Sequence, residues 1–273
     1  MAQRSIGQSL QEYGRGIIGG LIFSLPLFYT GELWDRGATI GPQHLLAGLA
    51  ATLLLLLGYN RFAGLRSDSS WLEVAIDSVE ELAIGVALAA PLLWLVGAID
   101  GQTPPAHAVG AILVEGMLAA IGVSIGTAQL GDIDDDEAGM DDGERPAGFV
   151  SRLALGACGA VLVAANMAPT DEIDEIAAAA DAVHLAAIGL LSVGLGATAL
   201  FFSKFKGSGD LPGWSGVVAQ TASLWLTALA VSAALLWFFG KLDGQPPTSA
   251  AAQTIVLGLG ATLGAAAGRM LLE

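Results

Sequence analysis

Apolar runs close to the length that carries a helix across a bilayer fill most of this sequence, with short polar stretches between them. A hydrocarbon core needs roughly 20 predominantly apolar residues of helix. Within it every backbone polar group must be satisfied inside the protein, so only helices and closed barrels cross. Alternating strand-like patterning is absent and Gly, Ala and Leu dominate, which excludes a barrel. Of the 273 residues, 54% are hydrophobic and 14% charged, against about 25% charged in soluble domains. Mean hydropathy is +0.65. The expected fold class is an all-α membrane protein.

Eight transmembrane helices are predicted, over 16–34, 42–60, 77–99, 106–128, 149–168, 181–202, 217–239 and 250–271. Pro and Gly mark the gaps, as in DGQTPP (100–105), GSGDLPGW (207–214) and DGQPPT (243–248). The first run contains Pro26, lacks a small-residue cleavage pattern and ends at Glu32-Leu33-Trp34, so it is read as a span and not a cleavable signal.

The sequence also matches itself. GGLIFSLPLFYTGEL (19–33) aligns without a gap on GAVLVAANMAPTDEI (159–173), pairing Thr30 with Thr170 and Glu32 with Glu172. The same offset pairs His44 with His184. After a small insertion Trp71 pairs with Trp214, and LLWLVGAIDGQTP (92–104) with LLWFFGKLDGQPP (235–247). Recurrence of polar and Trp positions exceeds what shared apolarity supplies. The expected organisation is a cytoplasmic segment 1–14, a four-helix repeat 15–130, an acidic cytoplasmic linker 131–148 and a second four-helix repeat 149–273.

Four helices per repeat is an even number, so both tandem copies are expected in parallel orientation. Arg4, Arg15, Arg61, Arg66, Arg145, Arg152, Lys204, Lys206 and Arg269 fall on one side, Arg36 and Lys241 on the other. The positive-inside bias then puts both termini in the cytoplasm of a multi-pass plasma-membrane protein. Trp34, Trp94 and Trp237 fall near the outer interface, and Trp71 and Trp214 near the inner one, as aromatic belts require.

Net charge is −15, from 26 acidic and 11 basic residues. Nucleic-acid binding needs a basic footprint and is excluded. Acid-rich, Lys-poor loops also fit a halophile's solvation strategy. Cys158 is the single cysteine, so no internal disulfide or Cys-based metal site can form.

RGIIGGLIFSLPLFYTGELW (15–34) and the Glu-rich DSVEELAIGVALAAPLL (77–93) carry a resemblance. The chain resembles a family of prokaryotic integral membrane proteins known only as a domain of unknown function (2391 type). That resemblance implies a bacterial or archaeal membrane protein and transfers no activity.

Three groups of residues could carry chemistry. The first is an outer cluster: Thr30, Glu32 and His44, repeated at identical spacing as Thr170, Glu172 and His184, with Asp100, His107 and Asp243 on the same side. Carboxylate and imidazole together can hold a divalent metal or form a proton-sensitive pair. The alternative is that these are polar residues at an interface. The first helix of each repeat is expected to be short and interrupted, at Gly19-Gly20 and Pro26 and at Asn166 and Pro169. Matched interruptions in two halves point to a transporter's site. A packing kink is the simpler cause.

The second group breaks the symmetry. Asp77, Glu80 and Glu81, with Glu73, stand where the other copy has Gln220, Ser223, Leu224 and Gly216. They fit an ion pathway, or a helix projecting into the cytoplasm before it enters lipid. Glu115 lies near the centre of its helix, aligned with Gly258. A carboxylate at that depth costs roughly 3 kcal/mol on insertion scales, so it must be neutral, paired or facing a polar cavity.

The third is the linker, where Asp132, Asp134 and Asp136 mimic a calcium loop, but Glu137 and Gly143 occupy the positions that need Gly and Glu. It is read as an acidic linker, with calcium binding as the alternative. No nucleotide loop, zinc-protease helix or nucleophile elbow occurs at a credible position, so no enzyme and no cofactor are expected. The expected function is a channel or transporter for a cation or proton-coupled solute, with a non-transporting sensor or assembly component as the alternative. The partners expected are the lipid bilayer, a cation or proton, and a second copy of the chain in a homo-oligomer.

Overall fold

The computed structural model describes residues 6–63, 70–129, 148–204 and 214–270. Among them are ten α-helices and one 3-10 turn, and no strand. They fall into two compact units, Met1–Pro146 and Ala147–Glu273. The linker reading at 131–148, with its calcium-loop mimic, lies outside the described residues apart from Gly148.

In unit 1, α1 (Ile6–Ser24) is followed by the 3-10 turn Leu27–Tyr29 and a short α2 (Gly31–Thr39). Then come α3 (Pro42–Ala63), α4 (Trp71–Leu95) and α5 (Pro105–Gln129). Unit 2 contains α6 (Phe149–Ala164), a short α7 (Asp171–Ala179), α8 (Ala182–Lys204), α9 (Trp214–Phe238) and α10 (Pro247–Met270). Six of these, α3, α4, α5, α8, α9 and α10, are long and apolar enough to cross a membrane. Each falls on one of the expected spans. The other two expected spans are not single long helices. Residues 16–34 are divided among α1, the turn and α2, and residues 149–168 hold the 16-residue α6.

The division in unit 1 has a local cause. Pro26 has no amide hydrogen, so the carbonyl of Ile22 loses its partner four residues on, and the ring clashes with the preceding turn. The chain regains order through bonds from Tyr29 N to Pro26 O (3.3 Å) and Thr30 N to Leu27 O (2.9 Å). Gly19-Gly20, expected to help break this helix, instead lies within continuous α1. The two glycines serve packing: a Cβ on Gly19 would collide with the backbone of Gly126, and one on Gly20 with Val123. Close backbone approach through small residues is how helices associate without a hydrophobic driving force.

Each unit is organised on its last helix. α5 is packed by α1, α2, α3 and α4, and α10 by α6, α7, α8 and α9. Gly19 meets Gly126, Phe23 meets Gly122, and Gly37 meets Gly110 and Ala111. The chain from α1 to α2 thus runs antiparallel along α5 for most of its length. In unit 2, Gly159 meets Gly264 and Gly268, Val163 meets Gly264, and Met167 meets Gly260. Leu27 and Phe28 of the unit 1 turn are fully buried, with Phe28 in a cluster with Ala89, Leu93 and Ala111. Outward faces of α3 and α4 carry exposed Leu46, Leu54, Ile76 and Trp94; α8 and α9 expose Val183, Leu190, Val218 and Leu226. Apolar exposure on that scale marks a lipid or protein contact surface.

Candidate functional site

Glu115 is fully buried near the middle of α5, and neither carboxylate oxygen has a hydrogen-bond partner. Helical spacing puts Ala111, Glu115, Ala119, Gly122 and Gly126 on one face. Ala111 meets Gly37 of α2, while Gly122 and Gly126 meet Phe23 and Gly19 of α1. Glu115 therefore faces the segment between them, where the helix is interrupted.

The packing gives a different alignment of the two units from the one read off the sequence. Gly126 meets Gly19 as Gly268 meets Gly159, and Gly122 meets Phe23 as Gly264 meets Val163. This register matches Glu115 with Leu257, fully buried, and not with Gly258, which matches Gly116. The cause is a one-residue difference between DGQTPP and DGQPPT, so the two prolines and all of α10 move by one.

The symmetry-breaking acids of α4 separate by burial. Glu81 is 8% exposed, Asp77 is half-buried and Glu80 exposed. Asn60 Nδ2 donates to Glu81 Oε2 (2.7 Å) and Ser78 Oγ (3.1 Å), and Ser124 Oγ donates to Asn60 Oδ1 (2.9 Å). Glu81 lies ten residues into α4, which begins at Trp71. That start is a capping box: Ser70 Oγ accepts from Glu73 N, and Glu73 Oε2 accepts from Ser70 N. Glu73 is thereby a cap. Asn60, Ser78 and Ser124 were missed from the sequence. Asn60 could have been found there, since the offset that pairs the histidines sets it against Leu200.

The outer cluster resolves into helix starts. Thr30 and Thr170 occupy the N-cap positions of α2 and α7, and Glu32 and Glu172 lie in their first turns. The glutamates thus open short helices and do not end outgoing ones, a placement favoured by the helix dipole. Thr30 Oγ1 donates to Pro26 O (3.3 Å) and Thr170 Oγ1 to Met167 O (2.9 Å). The carboxylate that meets His184 is Asp181, at 2.8 Å from Nδ1, and Glu172 does not share that contact. Asp181 also accepts the amides of Val183 and His184. The His184 amide, then its side chain, hold the Asp181 carboxyl below its ordinary range. His44 is half-buried and His107 exposed. Asp100 closes a turn by accepting from Gln102 N, Thr103 N and Thr103 Oγ1. Among the described residues no group of three His, Cys, Asp or Glu side chains could hold a metal.

A helical chain with six helices able to cross a bilayer and apolar outward faces is an integral membrane protein. A family model described as "Putative integral membrane protein (DUF2391)" matches residues 12–272, and the chain belongs to that family. No curated protein and no solved structure matches it.

Proposed function

We propose that the protein is a channel or transporter for a cation or a proton-coupled solute, with Glu115 on the pathway. The observation that carries this reading is the burial of Glu115 with both oxygens unpartnered, opposite an interrupted helix, at a position where the second unit has Leu257. A carboxylate so placed must take a proton or a cation to be tolerated. Freed carbonyls at an interruption are the usual partners of transported ions.

The same reading takes the two units as tandem four-crossing copies, eight crossings in all. The support is that α1, the turn and α2 together run the length of α5, and that α6 with α7 keeps equivalent partners on α10. Each copy then starts on the same side, with both termini in the cytoplasm of a plasma-membrane protein. Single-Cys labels in a Cys158→Ala background test this: residue 138 should resist an impermeant reagent applied from outside, and its labelling would reverse the assignment.

No enzymatic role is proposed. A non-transporting sensor or assembly component is the second reading, favoured by one finding: the repeated Thr-x-Glu residues serve as helix starts. The full chain in liposomes should pass monovalent or divalent cations or protons, and Glu115→Gln should abolish or uncouple that flux. Wild-type flux in a folded Gln variant sinks the role of Glu115, and no flux in the native chain selects the second reading.

A further inference from the structure

Three helices of unit 1 bring four oxygen-bearing side chains together at one buried point, away from the stripe that carries Glu115. Asn60 comes from the last turn of α3, Ser78 and Glu81 from α4, and Ser124 from the second half of α5. Exposures are 9% for Asn60, 0% for Ser78, 8% for Glu81 and 1% for Ser124. The Asn60 amide ties them together at 2.7–3.1 Å, and Ser124 also acts on the Glu81 carboxylate. Nine residues separate Glu115 from Ser124, which puts them on opposite faces of α5 and about 13 Å apart along its axis.

The charge of Glu81 has no basic partner in this group. The charged groups that act on it are Asp77 and Glu80, both of like sign. Arg61, next in sequence to Asn60, lies instead over the Trp71 ring, 5.5 Å from its centroid. A proton would neutralise Glu81 with no need of an amide and two hydroxyls. Three neutral oxygens around one carboxylate supply the hard donors and the single negative charge that suit a dehydrated monovalent cation. The second unit removes three of the four: Leu200, Leu224 and Ala266 are buried where Asn60, Glu81 and Ser124 stand, and only Thr221 keeps the hydroxyl of Ser78. Equivalent helices therefore pack without these polar groups, which makes them unnecessary for the fold.

We infer that Asn60, Ser78, Glu81 and Ser124 form a binding site for an alkali cation of sodium size, separate from Glu115. For the ion to enter, the Asn60 amide turns so that Oδ1 faces Glu81, an exchange that costs its two donated bonds and gains an oxygen ligand. The test is binding of radioactive sodium to the purified full chain at constant ionic strength, with choline as the balancing cation. Saturable binding is expected. It should be lost in the triple variant Asn60→Leu/Glu81→Leu/Ser124→Ala, which copies the side chains unit 2 already packs. Glu81→Gln should lose it too, by removing the charge alone. No saturable sodium binding by the native chain, binding unchanged in the triple variant, or proton uptake without sodium binding would each overturn the site. Loss in Glu115→Gln alone would instead assign the ion to Glu115.

Discussion

Lys241 Nζ lies 2.7 Å from Asp174 Oδ2, whereas the aligned positions of unit 1 are Ala98 and Trp34, both packed against the Phe28 cluster. Lys241 also reaches Asp171 at 2.8 Å and is only 5% exposed. Unit 2 thus has an ion pair where the aligned residues of unit 1 are apolar and pack on a buried cluster. Lys241→Ala should lower thermal stability, because it strands the half-buried Asp174. The double variant Lys241→Ala/Asp174→Trp, copying unit 1, should recover most of the loss. Melting of the purified single and double variants checks this, and equal melting of both would refute the equivalence. The interaction is shielded on the lysine side, so it should be less sensitive to salt than a surface pair.

Gly126→Ala and Gly268→Ala should each destabilise their unit, by about 1–3 kcal/mol as overpacking. An added Cβ there meets Gly19 Cα in the first case and Leu155 O in the second. Gly194→Ala supplies the control, since nothing lies within 4 Å of its Cβ position. Equal melting temperatures for all three would contradict the packing of α1 on α5.

Glu115→Leu should raise stability by about 1–3 kcal/mol, the usual cost of a buried polar group without a partner. Leu257 shows that the equivalent position accepts leucine. A variant less stable than the native chain would mean that Glu115 is held by a structural partner.

The start of α8 should be insensitive to pH from 8 down to 5. Asp181 there has its carboxyl held below its reference value of 3.8, first by the His184 amide. A depressed acid contributes fully above its reference value and loses that contribution as pH falls through the lower one. Hydrogen exchange at the Val183 and His184 amides, corrected for intrinsic rate, should therefore report opening only in strong acid. A step anywhere between pH 8 and 5 would refute the assignment of this turn to the Asp181 carboxylate.

Legibility from sequence followed the range of the cause. Pro26 breaks a helix through its own ring, so the interruption was visible, although the same reasoning misread Gly19-Gly20, whose role depends on a glycine more than a hundred positions away. Thr30 and Glu32 carried a helix-start signature that was read as a helix end, because the run 16–34 was taken as one span. Glu115 was recognisable as an anomaly from its apolar neighbours alone.

By itself the sequence determined the membrane class, the position of six long helices and the break at Pro26, because length, hydropathy and proline geometry act locally. Only tertiary structure decided which acids are buried. Glu80 and Glu81 differ by one residue and by a rotation of about 100° on α4, yet one is exposed and the other meets Asn60 from α3. The glycine contacts also align Glu115 of unit 1 with Leu257 of unit 2, an alignment that one extra loop residue concealed. Burial and register depend on which face of a helix meets its neighbour, and no run of consecutive residues encodes that.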